Sequence, residues 1–371
     1  FNRDGVVMVT VGYRLGFDGF GWVEGGGLNR GLLDIVAALE WTRDNIRAFG
    51  GDPGRVTIGG QSAGGNVVQA LLSTPRARGL FRGAIMQSAR VSSIGPEPVI
   101  EASRRFAAAL GIPPTLEGWR TVDELAIIER QAEFNVMDGP RPAPHALNGL
   151  RGVVHDTQEP GRKVLYPVVD GELVTRRSRE AFASPELAEV PILYGMARNE
   201  LIFPSDRPAD EVVAELRAAG FTDAELAPAL AEIALIAPEY ASGQADSFGR
   251  FRGSAYLVGL LRNQAGAGER TWLYDFAGRN RDSRLSFHSL DIPFVFDLLD
   301  AEGVAEALGA GPSQALADAM HADWVRFVET GRAPWPSVAE APLGARRYDD
   351  AGAADDPDDF LFEAAAFRLL A

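Results

Sequence analysis

An α/β fold, with a mostly parallel central sheet and helices on both of its faces, is what this sequence predicts. Three observations carry that expectation. Short β-branched runs alternate with helix-like segments over the first hundred residues. The strand-like runs are continuously apolar instead of alternating, as expected of strands covered on both faces, and Gly/Pro-rich turns separate them.

Residues 6–11 (Val-Val-Met-Val-Thr-Val) read as a buried strand. Over 31–49, Leu32, Val36, Leu39, Ile46 and Phe49 fall near helical spacing on one face, and Gly50-Gly51-Asp52-Pro53 ends that helix with turn chemistry. Residues 56–58 form the next strand, 65–72 a helix and 82–87 a further strand. The proline-rich residues at about 91–185 and the Ala/Glu/Leu-rich residues at about 208–262 are expected to be helical excursions above the sheet. Strands return at 190–195 and 271–276, and 313–330 reads as a long helix. Residues 349–359 read as an acidic surface stretch. The excursions carry no strand pattern of their own, so the expectation is a single domain over 1–371.

Composition narrows the function. A net charge of −15 argues against nucleic acid as a partner, because phosphate binding needs clustered Lys and Arg. Lys163 is the only lysine. With no cysteine, disulfides, thiol catalysis and Cys-ligated metals are excluded. His145, His155, His288 and His321 form no metal-binding spacing, and no apolar run is long enough for a membrane span. The expected partner is a small molecule, without metal or organic cofactor, and the expected location is the cytoplasm.

The chemistry centres on Gly60-Gln61-Ser62-Ala63-Gly64, a G-x-S-x-G motif with a strand before it and a helix after it. A tight turn there lifts the serine hydroxyl clear of the sheet and aims the next N–H at a reacting carbonyl. A serine hydroxyl needs a base, and the base needs a group to fix its tautomer. His288 follows a strand and a polar loop, where a base belongs. His145 and His155 lie in the first excursion, and His321 lies inside the last long helix. For the acid, Glu200 lies just past the strand at 190–195, and Asp170 competes because it also follows an apolar run.

Taken together these stretches resemble the type-B carboxylesterase family of α/β-hydrolases. Residues 9–16 (Val-Thr-Val-Gly-Tyr-Arg-Leu-Gly) resemble its N-Y-R-L-G strand end. Asn29-Arg30-Gly31-Leu32-Leu33-Asp34 and Phe49-Gly50-Gly51-Asp52-Pro53 resemble its N-x-G-L-x-D helix and F-G-G-D-P turn. Residues 60–64 match G-E-S-A-G at all positions but one, Met86-Gln87-Ser88 resembles its Q-S strand end, and Asn199-Glu200 resembles its D-E. His288-Ser289-Leu290-Asp291-Ile292-Pro293 resembles H-G-x-E-L-P, and Asp323-Trp324-Val325-Arg326-Phe327, Thr330-Gly331 and Trp335-Pro336 resemble the terminal segments.

The resemblance implies an α/β-hydrolase fold and hydrolysis of small-molecule esters, with Ser62 as nucleophile, His288 as base and Glu200 as its partner. Ala63 N–H would be one oxyanion donor. It leaves open a non-catalytic recognition or adhesion member of the same fold, and a peptidase or lipase. Gln61 stands where the family has glutamate, and Ser289 where it has glycine. The chain begins at Phe1, so the family's N-terminal strands and H-G-G-G oxyanion loop are expected to lie upstream. Gly25-Gly26-Gly27 falls after the first strand and reads as a loop, not as a substitute. The expectation is that these residues alone hydrolyse esters poorly or fold poorly, since loss of a single oxyanion donor costs roughly 10²–10³ in kcat. Assaying this span beside one extended upstream checks it, and equal hydrolysis by both would refute it.

Overall fold

The computed structural model describes residues 1–139, 145–156, 163–200, 202–309 and 311–371. Among these residues six strands form one sheet in chain order: β1 (Thr57–Gln61), β2 (Gly83–Gln87), β3 (Ile192–Ala197), β4 (Thr271–Phe276), β5 (Ala345–Asp349) and β6 (Gly352–Asp356). Neighbours from β1 to β5 pair parallel, and β6 turns back antiparallel on β5. Parallel pairing places the C-terminal ends of β1 to β4 at one rim. That rim carries the site.

The helices that matter here are α1 (Arg30–Asn45), α2 (Ala63–Leu72), α3 (Gly253–Gln264), α4 (Gln314–Thr330) and α5 (Leu361–Leu370). The sheet divides the apolar core by the period-two rule of strands. Met86, Tyr194, Met196 and Leu273 pack on one face with Leu32, Val36, Val67, Leu71, Leu257 and Phe367. Ile85, Leu193, Trp272, Tyr274 and Phe276 pack on the other with Leu316, Met320, Trp324 and Phe327. Every residue of β2, β3 and β4 is buried, which is why these strands read as largely apolar runs without alternation. Both excursions are helical and contribute side chains to the first face, Leu150 and Val153 from one, Val212 and Leu226 from the other.

Three expectations need correction. Residues 6–11 form no strand and join no ladder among the described residues, and Val7, Met8 and Val9 are about two-fifths exposed. The run has strand propensity, but no adjacent strand supplies its hydrogen-bond partners, and a strand is defined by that pairing. Phe49 is 62% exposed instead of joining the buried face of α1, because the helix tightens to 3₁₀ at Ile46–Phe49 and its ring turns toward Trp41, 5.9 Å away.

The acidic stretch at 349–359 is the third. It contains β6, and Asp359 is buried in a charge cluster. Arg347 Nη2 approaches Asp359 at 2.6 Å, Arg198 Nη2 at 2.9 Å and Arg252 Nη2 at 3.0 Å. Arg252 also pairs with Glu363 of α5 at 2.7 Å and with Asp275 of β4 at 3.2 Å, and Arg198 contacts Asp275 as well. Burial alone would push the Asp359 carboxyl up; the guanidinium groups of Arg252, Arg198 and Arg347 overcome that and hold it well below the ordinary carboxylate range. The cluster ties the C-terminal segment to β4 and to the residue two before Glu200.

Removing one partner leaves buried guanidinium charge uncompensated. Asp359→Asn is therefore expected to cost about 3–5 kcal/mol of unfolding free energy at neutral pH, read from urea denaturation. Because the folded-state value is depressed, this contribution is complete above the unfolded-state titration near ~4 and fades as pH falls toward the depressed value. The gap between parent and variant should close on acidification; a gap independent of pH would refute the account.

Candidate active site

β1 ends at Gln61 and α2 begins at Ala63, so Ser62 alone makes the turn, with φ 55° and ψ −117°. A non-glycine residue held there stores roughly 1–3 kcal/mol of backbone strain. Two hydrogen bonds hold it: Ser62 N–H donates to Gln87 O at 2.9 Å, and Asn66 N–H donates to Ser62 O at 3.0 Å. Close approach of helix to strand explains two glycines. A Cβ on Gly60 would stand 2.4 Å from the Gly64 carbonyl, and one on Gly65 would stand 2.8 Å from Ala89 Cβ. Gly64, the second glycine of the motif, has open space where its Cβ would go. The crowded positions are therefore 60 and 65. Ala63 is exposed at the first position of α2, where a backbone N–H has no helical acceptor.

Glu200 is 1% exposed in the turn after β3. Its Oε1 accepts the Ala197 N–H at 2.9 Å, and its Oε2 contacts His288 Nδ1. The other ring nitrogen, His288 Nε2, lies 3.2 Å from Gln61 Nε2. With the Nδ1 proton given to the carboxylate, Nε2 is an acceptor and the Gln61 amide is its donor. The Phe251 ring flanks the imidazole at 5.8 Å. Glu200, His288 and the elbow are thus brought to one rim. Among the described residues the Ser62 hydroxyl makes no hydrogen bond to His288; the neighbouring Gln61 holds that nitrogen.

Neutral amides stitch the two loops together. Asn199, fully buried, accepts the Ser286 N–H at 2.8 Å through Oδ1. Its Nδ2 donates to Glu232 at 2.7 Å and to Gln244 at 2.9 Å. Asn199 N–H donates to Ser286 O, and Ser286 Oγ donates to the last carbonyl of β4. Asp291 anchors the histidine loop from its other side, accepting from Gln87 Nε2 at 2.8 Å and from Tyr274 Oη at 3.0 Å. Burial pushes the Asp291 carboxyl up, with nearby Glu200 adding to the effect while the two hydrogen bonds oppose it. The motif reading passed over Asn199, Asp291 and Gln87 as supports, because each acts across a sequence separation of tens of residues or more.

The competing residues lie elsewhere. Asp170 caps its own turn, accepting the N–H groups of Glu172, Leu173 and Val174. His321 is buried between Val295 O and Asp4, and His145 bonds the Leu147 N–H. The Gly25-Gly26-Gly27 loop is tied through Glu24 N–H to Pro114 O.

Six mostly parallel strands with helices on both faces, a serine elbow and a carboxylate–imidazole pair at the strand ends define the α/β-hydrolase class. The family model described as the carboxylesterase family matches residues 1–225. The para-nitrobenzyl esterase of Bacillus subtilis (strain 168) is 30% identical over 350 residues, 90% of this chain and 67% of that protein. The fumonisin B1 esterase of Sphingopyxis macrogoltabida is 30% identical over 365 residues, 90% of this chain and 62% of that one. A solved Geobacillus stearothermophilus carboxylesterase superposes with a TM-score of 0.67 at 27% identity, covering 95% of this chain and 72% of that chain. The chain belongs to the carboxylesterase family. It spans about two thirds of the length of these two curated relatives, and no helix among its described residues is long and apolar enough to cross a membrane.

The Gln61 contact carries its own prediction. Gln61→Glu places a carboxylate at Nε2, which favours the imidazolium. In the variant the ¹⁵N spectrum of the ring should show Nε2 changing from a hydrogen-bond acceptor toward a donor. Charged groups already facing this ring are Glu200 and Asp291; an unchanged Nε2 signal would mean position 61 does not face Nε2 in solution.

Proposed function

We propose that the chain acts as a serine hydrolase of small-molecule carboxylic esters, with Ser62 as nucleophile, His288 as general base and Glu200 as the group that orients it. The observation that carries the reading is the His288 ring, fixed through Nδ1 by a buried carboxylate while Nε2 faces the strained elbow. The family membership and the esterase relatives support the same class.

For reaction, the Ser62 hydroxyl takes the place of the Gln61 amide at Nε2. Apo arrangements of this kind tighten only when substrate binds. Ser62 Oγ then attacks the carbonyl carbon while His288 Nε2 takes the hydroxyl proton. The oxyanion is met by Ala63 N–H, a helix-terminal donor. Collapse expels the alcohol, which leaves with the proton from His288. Water, deprotonated by the same nitrogen, then cleaves the acyl-serine ester and frees the acid. Glu200 keeps the proton on Nδ1 throughout and stabilises the transient imidazolium.

Ser62→Ala should abolish both p-nitrophenyl ester hydrolysis and covalent labelling by an organophosphate. Labelling that persists on another residue would move the nucleophile. Glu200→Gln should lower kcat by as much as ~10⁴, as loss of a tautomer-fixing carboxylate does. Hydrolysis should fall as pH drops from roughly 8 to 5, because a protonated imidazole cannot accept the serine proton. A flat profile across that range would rule out a histidine base.

A further inference from the structure

Behind the elbow helix lies a hollow that the reaction above does not use. It is bounded by α2 and by segments 90–94 and 163–178, and encloses about 520 Å³ with its mouth included. Arg90, Lys163 and Arg176 all line it, and among the described residues no carboxylate does. In a chain with 51 acidic and 36 basic residues, three cations converging on one hollow is against the trend.

The cations are also short of partners. Among the described residues, neither Arg90 nor Lys163 makes an ion pair. Arg176 pairs with Glu186 at 3.0 Å, but Glu186 also answers Arg78, so one carboxylate serves two guanidinium groups. Independent of charge, Ser73 on the wall is only 4% exposed, and its hydroxyl is buried without a hydrogen-bond partner. A buried hydroxyl left unmatched costs about 1–3 kcal/mol, a cost that an acceptor oxygen entering the hollow would remove. Asn66 holds the floor in place by accepting the Arg90 N–H at 3.0 Å through Oδ1.

We infer that this hollow is an anion-binding site for a small ligand bearing a phosphate or carboxylate group. Its oxygens would be met by Arg90, Lys163 and Arg176 and by the Ser73 hydroxyl. Two cations without an ion pair and a third that shares its carboxylate favour a group carrying negative charge and several acceptor lone pairs. The site is distinct from the carboxylate–imidazole pair but close to it. The Arg90 guanidinium stands 5.9 Å over the Phe251 ring, and that ring is 5.8 Å from His288.

The test is binding, read without reference to catalysis. Calorimetric titration of the protein with inorganic phosphate, and separately with acetate, at constant ionic strength should give saturable one-site heats. The tighter of the two identifies the preferred anion. Lys163→Met, a change at an exposed side chain, should weaken binding roughly tenfold, the loss of one charge-assisted hydrogen bond. Arg176→Gln should do the same. Because Lys163 is the sole lysine, amine-reactive labelling followed by mass spectrometry reads occupancy in the unaltered protein, with the N-terminal amine as internal reference. Phosphate or acetate should protect Lys163 selectively. Non-saturable heats with both anions, unchanged affinity in both variants, or labelling of Lys163 indifferent to both anions would each overturn the assignment.

Discussion

The contact on which the site depends is the buried carboxylate of Glu200 against the ring of His288. A carboxylate at 1% exposure is costly to keep charged unless its oxygens are matched. Here one oxygen takes the Ala197 N–H and the other takes the ring. The loop after β3 and the loop after β4 must therefore arrive together, since either alone would leave a buried group unpaired. This makes the pair a folding constraint as well as a chemical one. The parallel ladder between β3 and β4, in register from Ile192 opposite Thr271 to Ala197 opposite Phe276, delivers both loops to the same rim.

The surroundings separate two tasks. Loop-to-loop register is set largely by neutral amides, Asn199 across to Ser286 and Gln87 across to Asp291. The amides themselves carry no charge; Gln87 instead holds the Asp291 carboxyl, which lies near the imidazole. Formal charge is concentrated one layer away, in the cluster of Arg198, Arg252, Arg347, Asp275, Asp359 and Glu363. Burial lowers the Arg198 guanidinium to about 10, so it remains a cation at neutral pH. Arg198 belongs to both layers: its N–H donates to the last carbonyl of β4 while its side chain holds Asp359. The terminal helix α5 thus reaches the acid loop through charge, without touching the ring.

What the sequence disclosed follows from which interactions are local. β2, β3, β4, α2 and α4 were legible because burial on both faces, or along one stripe, leaves an apolar pattern within a single segment. The placement of Ser62, Glu200 and His288 at the strand ends was legible because a serine elbow and strand-end loops impose short motifs. β5 and β6 were not, since Arg346, Arg347, Asp355 and Asp356 give them the look of surface chain. Their strand character comes from pairing with each other and with β4. The run at 6–11 failed in the opposite sense, being apolar enough for a strand that no ladder receives. Asp359 failed because a carboxylate among carboxylates is usually solvated, and only the fold brings three arginines to it. Gln61 was read as a missing charge; its donation to His288 requires two loops 227 residues apart to meet.

That amide also bears on how many charges this ring can tolerate. His288 already has Glu200 at Nδ1 and Asp291 three residues further along its own loop. The second of these is pushed toward its neutral form first by burial and then by Glu200. A further carboxylate at position 61 would enter the same low-dielectric space, and each added like charge raises the cost of keeping the others ionised. Glutamine fills the position with a similar shape and a donor instead of a charge. It satisfies Nε2 while the site is empty and leaves the Glu200 carboxylate as the principal anion at the ring. It can also yield its place to a serine hydroxyl at the loss of only a neutral hydrogen bond, worth about 0.5–1.5 kcal/mol. Under the proposed mechanism, an occupant that weak is released at small cost, whereas an ion pair at Nε2 would have to be broken before Ser62 could be engaged.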